Sequence, residues 1–107
     1  HQAHILQLRD DQENILAYEF LTPSITSKND DRLLEIEVKK KQKQLYEHNP
    51  HLVYSNTNAH GYFILKIAKE KVVFDYRYTD TILEITNKEH QGPLLKLTQD
   101  NKLRKHV

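Results

Sequence analysis

Tyr62-Phe63-Ile64-Leu65-Lys66-Ile67-Ala68, the link Lys69-Glu70-Lys71, and Val72-Val73-Phe74-Asp75-Tyr76-Arg77-Tyr78 decide how this chain folds. Phe63, Leu65 and Ile67 recur at every second position of the first run. Val72, Phe74, Tyr76 and Tyr78 do the same in the second, with Val73, Asp75 and Arg77 between them. A period of two puts each apolar set on one face of a strand. A link this short brings the two strands together antiparallel. Asp75 and Arg77, mid-strand, read as a cross-strand pair rather than as catalytic groups.

Upstream, Leu52-Val53-Tyr54 is a short strand closed by the turn Asn56-Thr57-Asn58. Farther upstream, His4–Arg9 and Asn14–Leu21 flank the polar Asp10-Asp11-Gln12-Glu13. They read as a β-hairpin with Leu16, Tyr18 and Phe20 on one face. Pro23 ends that pattern, because it cannot donate to a central ladder, and Ser24–Ser27 is a hydroxyl-rich loop. Downstream, Ile82–Thr86 reads as one more strand and Leu94–Leu97 as a last edge after Gly92-Pro93. The polar stretch 100–107 reads as a frayed tail.

One segment has the helical period instead. Arg32 to about Glu47 follows the N-cap candidates Asp30 and Asp31, and Asn49-Pro50 stops it. Leu34, Val38 and Leu45 share a side, while Glu35 with Lys39 and Glu37 with Lys41 stand in the favourable i, i+4 order. The expected fold class is α+β: a mostly antiparallel β-sheet with one inserted helix, in a single domain over residues 1–99.

Composition narrows the function. The chain has 107 residues, room for one domain. Lys plus Arg number 16 and Asp plus Glu 15, so the basic excess of a polyanion-binding surface is missing. No nucleic-acid partner is expected. No apolar run approaches the roughly 20 residues a bilayer span needs, so no membrane partner is expected either. Cysteine is absent, which removes disulfides, thiolate zinc sites and a cysteine nucleophile. A start at His1-Gln2-Ala3-His4, without methionine, reads as a piece of something larger.

Seven histidines stand at positions 1, 4, 48, 51, 60, 90 and 106. His1 with His4 and His48 with His51 have a spacing of three, but one pair opens a strand and the other straddles Pro50. Neither is the His-Glu-x-x-His helix of a zinc protease. Lys39-Lys40-Lys41-Gln42-Lys43 reads as the solvated face of the helix. The six tyrosines lack the flanking basic residues of a base-stacking platform and read as packing. Neither a phosphate-cradling glycine loop nor a Gly-x-Ser-x-Gly elbow is present.

Three stretches, in order, carry a resemblance. These are Glu19-Phe20-Leu21-Thr22-Pro23-Ser24-Ile25-Thr26-Ser27, then Asn49-Pro50-His51-Leu52-Val53-Tyr54, then His60-Gly61-Tyr62 with Val72–Ile82. Their order and spacing, over roughly residues 1–86, resemble the alkaline phosphatase D type (PhoD-like) metallophosphoesterases. That family carries Gly-Asp-x-His at the end of a core strand, and His1 matches its histidine. His4 stands where the family often has tryptophan. The resemblance implies the C-terminal piece of a two-layer metallophosphoesterase sandwich, inactive alone, from an enzyme that hydrolyses phosphoesters.

The cofactors so implied are divalent or trivalent metal ions in the parent enzyme, with none bound tightly to this piece. His1 inherits a metal-ligand role, while Ser24, Thr26, Ser27, Asn49, His51 and Tyr62 match motif positions and become candidates for the pocket wall. The implied partners are a phosphoester substrate and the N-terminal catalytic part, and the implied location is exported: periplasmic, secreted or cell-surface. The alternative reading is a protein-interaction or oligomerisation module without catalysis. On either reading, an unpaired N-terminal hairpin beside Ile5, Leu6, Ile15 and Leu16 is expected to favour a homo-oligomer.

Overall fold

A computed structural model describes residues 1–106. Seven strands and one helix follow in the order β1 (Ala3–Arg9), β2 (Ile15–Leu21), α1 (Glu35–His48), β3 (Leu52–Asn56), β4 (Gly61–Ile67), β5 (Lys71–Thr79), β6 (Glu89–Thr98) and β7 (Leu103–Lys105). The class is α+β, mostly antiparallel, as the sequence pattern predicts. The strands form two sheets rather than one: a three-stranded sheet in the order β2-β1-β3 and a four-stranded sheet in the order β4-β5-β6-β7. Every pairing is antiparallel.

The two sheets face each other across an aromatic core. Ala3 and Ile5 of β1 are fully buried, with Phe74, Tyr76 and Tyr78 of β5 opposite them. Tyr18, Phe20 and Tyr54 pack on from the first sheet, and Phe63, Leu95, Leu97 and Leu103 from the second. The rings of Phe20 and Phe74 stack nearly parallel with centroids 3.5 Å apart. Removing Ile5 or Phe74 from water contributes about 1.5–3 kcal/mol each. The Tyr18 hydroxyl donates to the Asn101 carbonyl, and Asn101 Nδ2 donates to Ile15 O at 2.7 Å, tying β2 to the β6–β7 turn.

The first two strands form the expected hairpin, closed by Asp10, whose Oδ1 accepts the amides of Gln12 and Asn14. Leu16 departs from its expected face. The register slips by one residue between Leu8/Arg9 and Ala17/Ile15, so Leu16 sits in a bulge and stays exposed. The first strand is no free edge, since it pairs with β2 on one side and β3 on the other.

The helix starts three residues later than the sequence predicts. Asp30–Arg32 form a 3-10 turn capped by the Asn29 side chain, and Leu33 and Leu34 are extended. The acidic N-cap signal is therefore used one turn early. Leu34 precedes the helix and is 67% exposed, so the buried side is carried by Val38, at 5%, with Leu45 half-buried. Glu35 and Lys39 pair at 3.1 Å as expected. Glu37 instead accepts the Leu34 amide, and Lys41 reaches Asp30 at 2.8 Å.

Two downstream expectations change. The segment at 82–86 is no strand: Ile82–Glu84 bend, and Leu83 and Ile85 are 91% and 106% exposed. The place beside β5 is taken by β6, which is ten residues long and has strands on both sides, so Leu94–Leu97 is no edge. Gly92 and Pro93 lie inside it, at a bulge opposite Tyr76 where a proline costs no ladder bond. In the stretch expected to fray, Leu103–Lys105 pair with Leu95–Leu97; residue 107 lies outside the described residues.

Candidate functional site

Pro23 releases the chain from β2 into a loop that is pinned from within. Ser24 Oγ accepts the amides of Thr26 at 3.2 Å and Ser27 at 2.8 Å, a hydroxyl turn of the kind serine favours. The Ser24 carbonyl accepts the Gly61 amide at 3.2 Å. Gly61 is glycine by necessity, because a Cβ there would run into the Arg77 carbonyl of the adjoining strand.

Asn29 ties this loop to two other places. Its Nδ2 donates to the His1 carbonyl at 3.1 Å and the Ala59 carbonyl at 2.9 Å. Its Oδ1 accepts the Asp31 amide at 3.0 Å. His60, 5% exposed, lies beside this junction. Its Nδ1 is 3.2 Å from the Ser24 carbonyl, and its Nε2 is 3.6 Å from Asp31 Oδ2 without a hydrogen bond. Partial desolvation of Asp31 works against its charge. The amides of Asn29 and Asp31 and the nearby His60 outweigh it and hold the carboxyl below its ordinary range.

Thr26, Asp31, Ala59 and His60 form one wall of an open cleft of about 760 Å³. Thr79, Asp80, Thr81 and His90 form the other wall, with His90 Nδ1 2.9 Å from Asp80 Oδ1. Tyr78 reaches the floor, and its hydroxyl shares a 2.8 Å hydrogen bond with that of Tyr54. Burial raises the pKa of both phenols, so both stay neutral.

The sequence candidates divide between this end and other places. Thr26 lines the cleft, the Ser24 carbonyl faces His60 Nδ1 and its hydroxyl accepts the Ser27 amide, and the His1 carbonyl accepts from Asn29. Asn49 caps the C-terminus of α1: its Nδ2 donates to Leu45 O at 2.8 Å, and its carbonyl accepts the Leu52 amide. The His51 carbonyl accepts the Gln7 amide, six residues along the chain from His1. Tyr62 points to the outer face of the second sheet and donates to Glu89 Oε2 at 2.6 Å. Asn29, Asp31, His60, Asp80 and His90 were absent from the candidates. The sequence signals for them are scattered: His60 and Asp80 lie inside the motif stretches, Asp31 is an N-cap candidate, and His60 and His90 are two of the seven histidines.

The outer face of the second sheet holds a second polar cluster. Arg77 grips Asp75 of its own strand with Nε to Oδ1 at 2.9 Å and Nη2 to Oδ2 at 2.8 Å. The pair is thus two residues apart on one strand, not cross-strand as expected. The cross-strand partner is Gln91, whose Nε2 donates to Asp75 Oδ1 at 2.7 Å. Asp75 is 3% exposed, and the Arg77 bonds, reinforced by Gln91, hold its carboxyl below the usual range against the cost of burial.

The ordered motifs agree with the family comparison. The chain belongs to the PhoD-like phosphatase family, a phosphoesterase family, whose model matches residues 1–76. No curated protein and no solved structure matches it. The metal that such a family implies would need more ligands than the described residues bring together. Among the described residues no three His, Asp or Glu side chains converge to hold an ion. His1 offers a single imidazole.

Proposed function

We propose that this chain is the C-terminal part of a metal-dependent phosphoesterase in the two-layer metallophosphoesterase architecture, acting on phosphomonoesters or phosphodiesters outside the cytoplasm. The further metal ligands then come from another part of the parent protein, and His1 adds one imidazole to them. The observation that carries this reading is the junction at Asn29. One side chain hydrogen-bonds the backbone of His1 and that of Ala59, and Ser24 joins Gly61 in the same place. The His1 position, the Ser24 loop and the stretch that begins at His60-Gly61, far apart in sequence, are thereby joined through their backbones. Fixing the backbone that carries a ligand is how neighbouring groups orient a metal site. The Ser24–Asp31 wall would then border the substrate.

The test uses the parent protein, a chromogenic phosphodiester and several divalent metals. His1→Ala is expected to lower turnover together with bound metal, by more than the roughly 10–100-fold that losing an outer partner of a ligand costs. The 107-residue chain alone is expected to show no turnover. Robust hydrolysis by the chain alone, dependent on His1, would overturn the reading of a part that is inactive by itself.

A second reading, an oligomerisation or protein-interaction module, has one observation in its favour. Leu83, Ile85 and Ile25 lie exposed about the loop after β5. Light scattering over a range of concentrations decides it.

A further inference from the structure

His60 is enclosed, and both of its ring nitrogens look at oxygens. Its side chain is 6% exposed. Nδ1 is 3.2 Å from the Ser24 carbonyl, which has no proton to give. Nε2 is 3.6 Å from Asp31 Oδ2, a carboxylate oxygen whose pKa is held low. A neutral imidazole has one N–H and one lone pair. Whichever tautomer it takes, that lone pair faces an oxygen and one ring nitrogen goes without a partner. Only the doubly protonated ring can donate on both sides.

The remaining charged groups of the cleft are Lys28 and Arg32 beside the 3-10 turn, and Asp80 with His90 on the opposite wall. Asp80 and His90 engage each other at 2.9 Å, which leaves Asp31 as the carboxylate opposite His60. The His60 backbone is itself fixed, because its carbonyl accepts the Thr79 amide at 2.8 Å. The imidazole is therefore anchored to β5, and the groups it faces belong to the loop.

We propose that His60 is a proton-dependent clasp: as an imidazolium it holds both the Ser24 carbonyl and Asp31 against the start of β4, and as a neutral ring it gives up one of the two and loosens that segment. Asp31 receives the Asn29 amide and Asn29 holds the His1 carbonyl, so the clasp also governs how firmly the backbone of His1 is placed. Its bearing on phosphoester hydrolysis rests on the reading above, whereas the clasp itself does not.

The experiment is an NMR titration of the 107-residue chain between about pH 5 and 8, the range in which histidine changes charge. Long-range proton–nitrogen spectra read the two His60 ring nitrogens, and hydrogen exchange reads the Gly61 amide, which donates to Ser24 O. Both nitrogens are expected to be protonated at the acid end. As the ring loses its proton, Gly61 protection, corrected for the intrinsic rate, should fall about tenfold or more, while amides of the β4–β5 ladder keep theirs. Asp31→Asn should move the His60 titration to lower pH, and His60→Gln should leave Gly61 protection independent of pH.

A ring already neutral at the acid end, or Gly61 protection that ignores the titration, overturns the proposal. The wild-type titration decides alone if a variant fails to fold, which the Phe74 and Tyr76 ring signals report. No substrate is involved, so a failure of the phosphoesterase reading leaves this result standing.

Discussion

Two polar clusters lie against the same β5 strand, and they are built on opposite terms. At Asp75 both carboxylate oxygens are taken, by Arg77 and Gln91, and Glu89 engages both Arg77 and Tyr62. The cluster is closed over a buried charge. At His60 a ring that is equally buried keeps one nitrogen without a hydrogen bond and borders an open cleft. Satisfied buried groups rigidify a fold, and unsatisfied ones need another explanation. The first cluster does the work of stability, and the second is where a change of protonation or a ligand has something to act on.

The contrast is broken most directly at Asp75. Asp75→Ala leaves Arg77 and Gln91 without their acceptor and is expected to cost about 2–3 kcal/mol, in line with bonds to charged groups. Arg77 is partly solvated, which keeps the loss below that of a fully buried pair. The effect has a definite pH dependence. A carboxyl whose folded pKa is depressed contributes stability above its unfolded value near 3.8, and that contribution is lost as pH falls through the lower folded value. Urea midpoints of wild type and variant should therefore differ most above about pH 4 and converge in stronger acid. A constant gap would show that packing, not charge, holds the site.

Asn29→Ala acts on the other cluster and is expected to cost less, about 1 kcal/mol, the usual loss of a side-chain cap. Its mark is local: protection of the Asp31 amide should drop while the β5–β6 ladder keeps its own. A uniform loss across both sheets would contradict the assignment of Asn29 to this end alone. Smallest is Leu34→Ala, expected within about 0.5 kcal/mol because the side chain is exposed. A loss of core size by thermal melting would restore Leu34 to the buried side of α1.

The strands were readable where alternation and a tight link coincide, as in Phe63–Ile67 and Val72–Tyr78. Where two segments compete for one seat, alternation cannot choose. Ile82–Thr86 has the better strand composition, yet β6 pairs with β5 because its bulge absorbs Gly92 and Pro93. The missing cleft residues share another cause. Asn29, Asp31, Asp80 and His90 stand in irregular segments whose meeting depends on how two sheets stack, and no local spacing records that. His60 shows in the sequence as one of seven histidines and as the start of a motif stretch, with no sign of its neighbours. Its two oxygen neighbours come from residues 36 and 29 positions away in the chain.

The stacking of Phe20 on Phe74 also says something about how the chain is made. Synthesis delivers β1 and β2 before β5, and local pairing can close that hairpin at once. The aromatic face it presents has no cover until the ribosome has released β5, and the lock between Ile15 and Asn101 comes later still. During that interval the nascent hairpin carries Ile5, Tyr18 and Phe20 to the solvent, the kind of transient apolar surface that holding chaperones take up. The order in which the two layers are born, rather than the strength of either, sets the period of greatest exposure to aggregation.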